Sequence, residues 1–351
     1  MKLRIAQVAP LHESVPPRRY GGTERIVSYL TEELVRMGHD ITLFASGDSS
    51  TTARLVPCCE RNLRGGGYCD TLPAHLAMLD EVARRARAFD VIHFHVDYLH
   101  FPVSARENYL HLSTIHGRLD LPDIVPVYRR FSEMPLVSIS NAQRAPLPFA
   151  NWHATVYHGL PASLYRLAPE RGRYLAFLGR ISPEKRLDRA IEIAQRAGLP
   201  LRVAAKIDRV DRDYYHDRIE PLMKLPHVEF LGEIDDSEKQ AFLGGALALL
   251  MPIDWPEPFG LVMIEAMACG TPVIAFRRGS VPEVIDEGVT GFVCDDIGDA
   301  VEAVERCDEL SRVHCRARFE QRFSASRMAR DYVSAYAELL ELAHAPEHAA
   351  S

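Results

Sequence analysis

The sequence predicts an α/β protein of two domains, each built on a parallel sheet flanked by helices. Three observations lead there. The chain has 351 residues, more than the roughly 100 to 200 that one core usually organises. Short apolar runs alternate with helical patterns through both halves, as strands joined by crossover helices do. From Leu160 to Arg173 the alternation lapses into Pro-Ala-Ser and Ala-Pro-Glu-Arg-Gly, then begins again, which marks a boundary. The expected domains are 1–162 and 163–324, followed by a closing helical segment over 325–351.

Each element follows from its own pattern. Leu3 to Ala9 reads as the first strand, leading through a Pro-rich loop to Gly21-Gly22-Thr23-Glu24. Ile26, Leu30 and Leu34 then recur at helical spacing until Gly38. Ile41–Ala45, Val91–Phe94, His111–Ile115, Leu136–Ile139 and Ala154–Tyr157 continue the sheet. Most of these runs lack the alternation of a half-exposed strand, which implies burial on both faces. Tyr174–Leu178, Leu201–Ala205, Val228–Leu231, Ala246–Met251, Pro272–Phe276 and Gly291–Cys294 form the second set. Ser182 with Pro183 at the next position reads as a helix start. Ala325–Leu342 places Met328, Tyr332, Tyr336 and Leu339 along one face of a long helix.

Composition narrows the function classes. With 47% apolar and 25% charged residues, the chain is that of a globular protein able to bury a large core. A net charge of -7 argues against a nucleic-acid groove. Arg84-Arg85-Ala86-Arg87 and Tyr128-Arg129-Arg130 read as solvated helix faces. Seven cysteines, an odd number without metal-type spacing, suit reduced thiols. The opening apolar run is too short for a secretory signal, and nowhere do 18 apolar residues follow one another. The expected location is cytoplasmic, with peripheral contact at the inner membrane face left open.

The segment from Pro252 to Pro272 carries the chemistry: Pro-Ile-Asp-Trp-Pro-Glu-Pro-Phe-Gly-Leu-Val-Met-Ile-Glu-Ala-Met-Ala-Cys-Gly-Thr-Pro. Prolines 256 and 258 hold Glu257 in an extended loop, and Phe259-Gly260 opens a helix whose first N–H groups, through Leu261 and Val262, are free. A helix N-terminus beyond a strand end favours a phosphate. Glu265 lies roughly 7 Å further along the axis, within reach of a sugar ring joined to that phosphate. At another strand exit stands Phe177-Leu178-Gly179-Arg180-Ile181-Ser182-Pro183-Glu184-Lys185. Arg180 and Lys185 there suit a diphosphate leaving group.

This arrangement resembles glycosyltransferase family 4, retaining enzymes of the GT-B fold, with Glu257 and Glu265 in the two positions of the Glu-x7-Glu signature. The resemblance implies two Rossmann-like domains facing each other across a cleft, with the last helix crossing back to the first domain. It implies a hexosyltransferase that uses a nucleotide-diphosphate sugar as donor and needs neither cofactor nor metal. The acceptor would be a carbohydrate, a lipid-linked molecule or a small metabolite. By carry-over Glu257 contacts donor-sugar hydroxyls, Glu265 binds the ribose, and the N–H groups of Phe259 to Val262 meet the diphosphate and sugar. Arg180 and Lys185 neutralise the leaving group. In the first domain, Gly21 and Gly22 match the family's glycine-rich loop, and His116 in Ser113-Thr114-Ile115-His116-Gly117 matches the histidine that contacts the donor sugar or turns its backbone carbonyl to the anomeric centre. His158 stands where the family more often has Asn. Gly279-Ser280-Val281-Pro282-Glu283 resembles a further family loop, in which Glu283 either reaches ligand or caps its own helix. Acceptors are expected against Val15–Tyr20 and Val96–Phe101, and the base near Leu231-Gly232-Glu233.

Other readings are weaker. His93-x-His95 would put two rings on one strand face, yet no neighbouring carboxylate or cysteine completes a metal set. Asp211-Arg212-Asp213 spells the Asp-x-Asp of metal-dependent transferases but opens a charged helical stretch. A glycosidase pair would have no diphosphate cradle. A sugar-nucleotide-binding regulator and a GT-B epimerase remain as alternatives.

Overall fold

The structure, a computed structural model, describes residues 2–18 and 21–344. It forms two compact units, one comprising Met1–Gly159 with Ala325–Ser351 and the other Leu160–Ser324. The closing helix thus belongs to the first unit, and the change of unit falls at Gly159/Leu160. Arg19 and Tyr20 of the expected acceptor loop, and residues 345–351, lie outside the described residues.

The first unit carries a seven-stranded sheet: β1 (Arg4–Val8), β2 (Asp40–Ser46), β3 (Arg54–Cys59), β4 (Val91–Phe94), β5 (His111–Thr114), β6 (Leu136–Ser138) and β7 (Trp152–Thr155). The order is β3-β2-β1-β4-β5-β6-β7, every pair parallel. In helix α1 (Gly22–Arg36), Ile26, Leu30 and Leu34 are fully buried, as their spacing requires. Helix α2 (Leu72–Arg85) adds Met78, Leu79 and Val82 to a core with Phe44 and Phe94. Strand β3 has no counterpart among the predicted strands. It contains Pro57 and exposed residues, which an edge strand tolerates because only one side of its ladder is paired.

The second unit has β8 (Leu175–Arg180), β9 (Leu201–Lys206), β10 (Val228–Gly232), β11 (Ala248–Met251), β12 (Val273–Phe276) and β13 (Gly291–Cys294), all parallel, in the order β10-β9-β8-β11-β12-β13. Helices α3 (Leu187–Arg196), α4 (Asp236–Gly244), α5 (Leu261–Ala268), α6 (Ile297–Glu305) and α7 (Arg312–Arg322) surround it. The core runs through Leu175, Phe177, Ile191, Val203, Ile274 and Phe292.

One expectation is corrected here. No helix starts at Ser182: residues 182–185 make a turn, closed by the Lys185 N–H donating to the Ser182 carbonyl at 3.1 Å. The helix begins at Leu187, after Arg186 takes the left-handed conformation at φ 54°. Ion pairs from Arg186 to Asp188 at 2.8 Å and Asp254 at 3.1 Å hold that residue in a conformation its Cβ disfavours.

The closing helix α8 (Ala325–His344) packs on α1 and buries Met328, Tyr332, Tyr336 and Leu339. In each sheet the order runs outward in both directions from a central pair, β1/β4 and β8/β11. Open parallel sheets bind ligands outside the carboxyl ends of such a pair.

Candidate active site

In the second unit the two sequence motifs meet at this reversal. Arg180 ends β8, and the loop after β11 carries Glu257. The Lys185 ammonium is ion-paired with the Glu257 carboxylate, which is buried, and lies 4.8 Å from the centre of the Trp255 ring. The Asp254 N–H donates to the Glu184 carbonyl at 2.9 Å, so the loops are joined through backbone as well. Asp254 also receives Arg186 and Arg189, the latter at 3.0 Å.

A third loop, after β12, fixes the height of Glu257. The Ser280 N–H donates to the Glu257 carbonyl at 2.9 Å, and its hydroxyl donates to the Phe259 carbonyl at 2.9 Å. Gly279 has φ 54°, and a Cβ there would stand 2.3 Å from the Glu257 carbonyl oxygen. Only glycine permits so close an approach. Gly260, also left-handed at φ 80°, then opens α5. Phe259 is buried, edge-on to Phe323. Among the described residues the N–H groups of Gly260, Leu261 and Val262 donate to nothing, leaving unpaired donors at a helix start where the macrodipole is positive.

Two turns of side chains complete the group. Arg180 is ion-paired with Glu184 and lies 3.7 Å from Asp208 and 3.5 Å from Asp211. Burial pushes the Asp211 carboxyl above its ordinary range against the pull of Arg180. Asp211, the first residue of the Asp-x-Asp triplet, is thus a partner of Arg180. Glu265, on α5, is almost fully buried and accepts from the Lys239 ammonium at 2.8 Å. Sequence reasoning missed Lys239. It lies on α4, 26 positions away, and nothing in Asp-Asp-Ser-Glu-Lys announces the pairing.

His116 lies in the first unit, beyond the end of β5, within a chain of buried polar groups whose hydrogens can be assigned in order. The Gln7 amide N–H donates to the Tyr336 hydroxyl at 3.1 Å, which leaves its carbonyl oxygen to accept from His95 Nε2 at 2.8 Å. His95 Nδ1 must then accept from His116 Nε2 at 2.9 Å. His116 Nδ1 therefore carries a lone pair and has no partner among the described residues. Burial holds the His116 ring neutral, its pKa down to about 3. It is an acceptor, not an acid. His158 stacks on it, with centroids 5.2 Å apart. His93 bonds to Tyr336 at 2.7 Å and to Thr114 at 2.8 Å, which satisfies both nitrogens. Asp97 is left-handed at φ 50°, and burial raises its carboxyl to about 6 against the pull of the His116 backbone N–H.

Gly21 and Gly22 open α1, Gly21 as its N-cap at φ 145°, where a Cβ would stand 2.8 Å from Pro17 Cβ. The loop's own packing accounts for that glycine. Glu283 lies in the short helical turn Val281–Val284, whose N-cap Ser280 makes no side-chain capping bond. Among the described residues no group of three or more His, Cys, Asp or Glu could hold a metal ion, and no helix is long and apolar enough to cross a membrane.

Residues 166–322 match the family described as glycosyl transferases group 1, and residues 20–181 match glycosyltransferase family 4. Together the two matches take in residues 20–322 and support a group 1 glycosyltransferase of the family 4 kind. Among curated relatives, it is 34% identical to an N-acetyl-alpha-D-glucosaminyl L-malate synthase of Bacillus anthracis over 34% of each chain. The chain spans less than half the length of the first curated relatives it matches. Among solved structures it resembles AviGT4, a glycosyltransferase involved in avilamycin A biosynthesis, at TM-score 0.73 and 23% identity, covering 96% of this chain and 98% of that one. It also resembles Anabaena Alr3699/HepE in complex with UDP-glucose at TM-score 0.71 and 18% identity, covering 96% of this chain and all of that one. Those likenesses show the GT-B fold.

Proposed function

We propose that the protein is a retaining, metal-independent glycosyltransferase, moving a hexosyl group from a nucleoside-diphosphate sugar to an acceptor hydroxyl. The observation that carries this reading is the Lys185–Glu257 pair beside the unpaired N–H groups of Gly260 to Val262. A cation, a sugar-binding carboxylate and an anion-binding helix start then occupy one strand-end crevice, as a diphosphate joined to a sugar needs. The structure of HepE with UDP-glucose supports the choice of donor class.

In this reading the N–H groups of α5 receive the diphosphate, Glu257 accepts from sugar hydroxyls, and Glu265 accepts from the ribose. Arg180 and Lys185 exchange their carboxylate partners for phosphate oxygens as charge builds there. The acceptor oxygen bonds to the anomeric carbon on the face from which the diphosphate leaves. The electron pair of the breaking C–O bond passes to the phosphate oxygen, which takes the acceptor proton. Neither glutamate is a nucleophile. The lone pair on His116 Nδ1 is offered to a sugar hydroxyl, a role a neutral ring can fill. A regulator that only bound the donor would have no need of Arg180 and Lys185 on the leaving group.

The test begins with calorimetric titration against UDP, GDP, ADP and TDP in EDTA, where one nucleotide is expected to bind. Glu265→Ala should then weaken that binding about 10- to 100-fold, from loss of charge-assisted hydrogen bonds of about 1.5–3 kcal/mol. Arg180→Ala should lower turnover about 100-fold while changing affinity far less. The product should keep the donor's anomeric configuration by NMR. Wild-type behaviour in both variants sinks the site.

A further inference from the structure

We infer that Lys239 is a positioning residue for the donor ribose, acting through Glu265. This rests on the donor site proposed above. A carboxylate that binds a vicinal diol must present both oxygens at a fixed angle, one to each hydroxyl. Glu265 can turn about its side-chain bonds, so something must hold it. Among the described residues its only hydrogen-bond donor is the Lys239 ammonium, 2.8 Å from Oε1. Oε2 accepts no hydrogen bond from the described residues. One oxygen is anchored and the other is open.

The anchor is well defended. The Lys239 side chain is 14% exposed and that of Glu265 only 4%, so the pair is little screened by solvent. The ammonium also lies 3.4 Å from Asp236 Oδ1, within the first turn of the same helix α4. That helix starts firmly, because Asp235 and Glu238 form a reciprocal capping box. Lys239 therefore comes from a fixed helix turn and reaches across to the middle of α5.

Charge gives it a second effect. Glu265 sits in α5, whose start is assigned to the diphosphate, and an uncompensated carboxylate there would repel the donor's phosphates. Lys239 neutralises Glu265 as Lys185 neutralises Glu257. The difference is that Lys185 is assigned to leave its partner for phosphate, whereas Lys239 stays.

A lysine that merely joined α4 to α5 would lower stability when replaced, without changing how the site reads the ribose. The deciding quantity is therefore the ratio of affinities for a nucleotide and its 2′-deoxy counterpart. Calorimetry with UDP, GDP or ADP, whichever the wild type binds, and with the matching 2′-deoxynucleotide should give a wild-type preference for the ribonucleotide of about tenfold or more. In Lys239→Met that preference should shrink to about twofold or less, while Lys239→Arg keeps most of it. Glu265→Gln should lose it too, and the double variant Lys239→Met/Glu265→Gln should lose no more than either alone. A Lys239→Met protein that binds more weakly but keeps the wild-type ratio overturns the inference, as does a wild type indifferent to the 2′-hydroxyl. If Lys239→Met does not fold, the ratio in Lys239→Gln decides by the same criterion. A wild type that binds none of the nucleotides removes the donor site itself, and this inference with it.

Discussion

The substitution Gly279→Ala should cost activity as well as stability, and the size of both follows from the packing around Glu257. The added Cβ would stand 2.3 Å from the Glu257 carbonyl oxygen, 2.4 Å from its nitrogen and 2.7 Å from the Pro256 carbonyl carbon. Carbon and oxygen touch without strain only at about 3.3 Å, so the loop must retreat by about 1 Å. These obstacles are backbone atoms held by the Ser280 N–H, and no rotamer change relieves them. The residue must also keep φ 54°, at about 1–2 kcal/mol for a side chain with a Cβ. A total destabilisation of about 2–4 kcal/mol follows. The displaced residue is Glu257, so its carboxylate moves away from Lys185 and off the position proposed for the donor sugar. A 1 Å misplacement at a reacting centre costs about 100-fold in rate. Turnover of the matching nucleotide sugar should fall by that factor at a temperature where circular dichroism shows the variant folded. Turnover within threefold of wild type would refute the claim that the loop after β12 sets the height of Glu257.

Two further predictions concern the buried polar chain of the first unit. Burial holds His93, His95 and His158 neutral well below their ordinary pKa, and His116 down to about 3. Above pH about 6.5 neither folded nor unfolded chain protonates them. Below it the unfolded chain takes protons that the folded one refuses, so stability falls with pH towards about 3, by about 1.4 kcal/mol per pH unit per ring. Denaturant titrations at pH 7, 6 and 5 should show this, and His158→Asn should flatten the slope by about one proton; an unchanged slope refutes the assignment. Tyr336→Phe removes a hydroxyl bonded to both Gln7 and His93, which are fully buried. It should cost about 2–4 kcal/mol and speed hydrogen exchange in α8 before the central strands, whereas wild-type exchange there would show that the helix is held by its apolar face alone.

The sheets were legible because parallel strands buried on both faces are continuous apolar runs, and β4 lies where Val91–Phe94 predicts it. Strand β3 was hidden because an edge strand need not look apolar. The motif around Glu257 and Glu265 was legible for a different reason: its prolines and glycines dictate a local shape that can be recognised without knowing what surrounds it. What surrounds it could not be read. Lys239 meets Glu265, and Ser280 meets Glu257 and Phe259, only because α4 and the loop after β12 lie beside α5 and its approach in three dimensions. The same limit separates the two readings of histidine. His93-x-His95 has a metal-like spacing, yet the partners that satisfy those rings are Gln7, Thr114, His116 and Tyr336, from three distant segments. His116 differs from His93 and His95 in one respect, that the chain of hydrogen bonds ends on it with an acceptor left over. A histidine whose hydrogen-bonding capacity is exhausted inside the fold is explained by the fold. One whose lone pair has no partner among the described residues, beyond a strand end, is where we propose that a sugar hydroxyl donates.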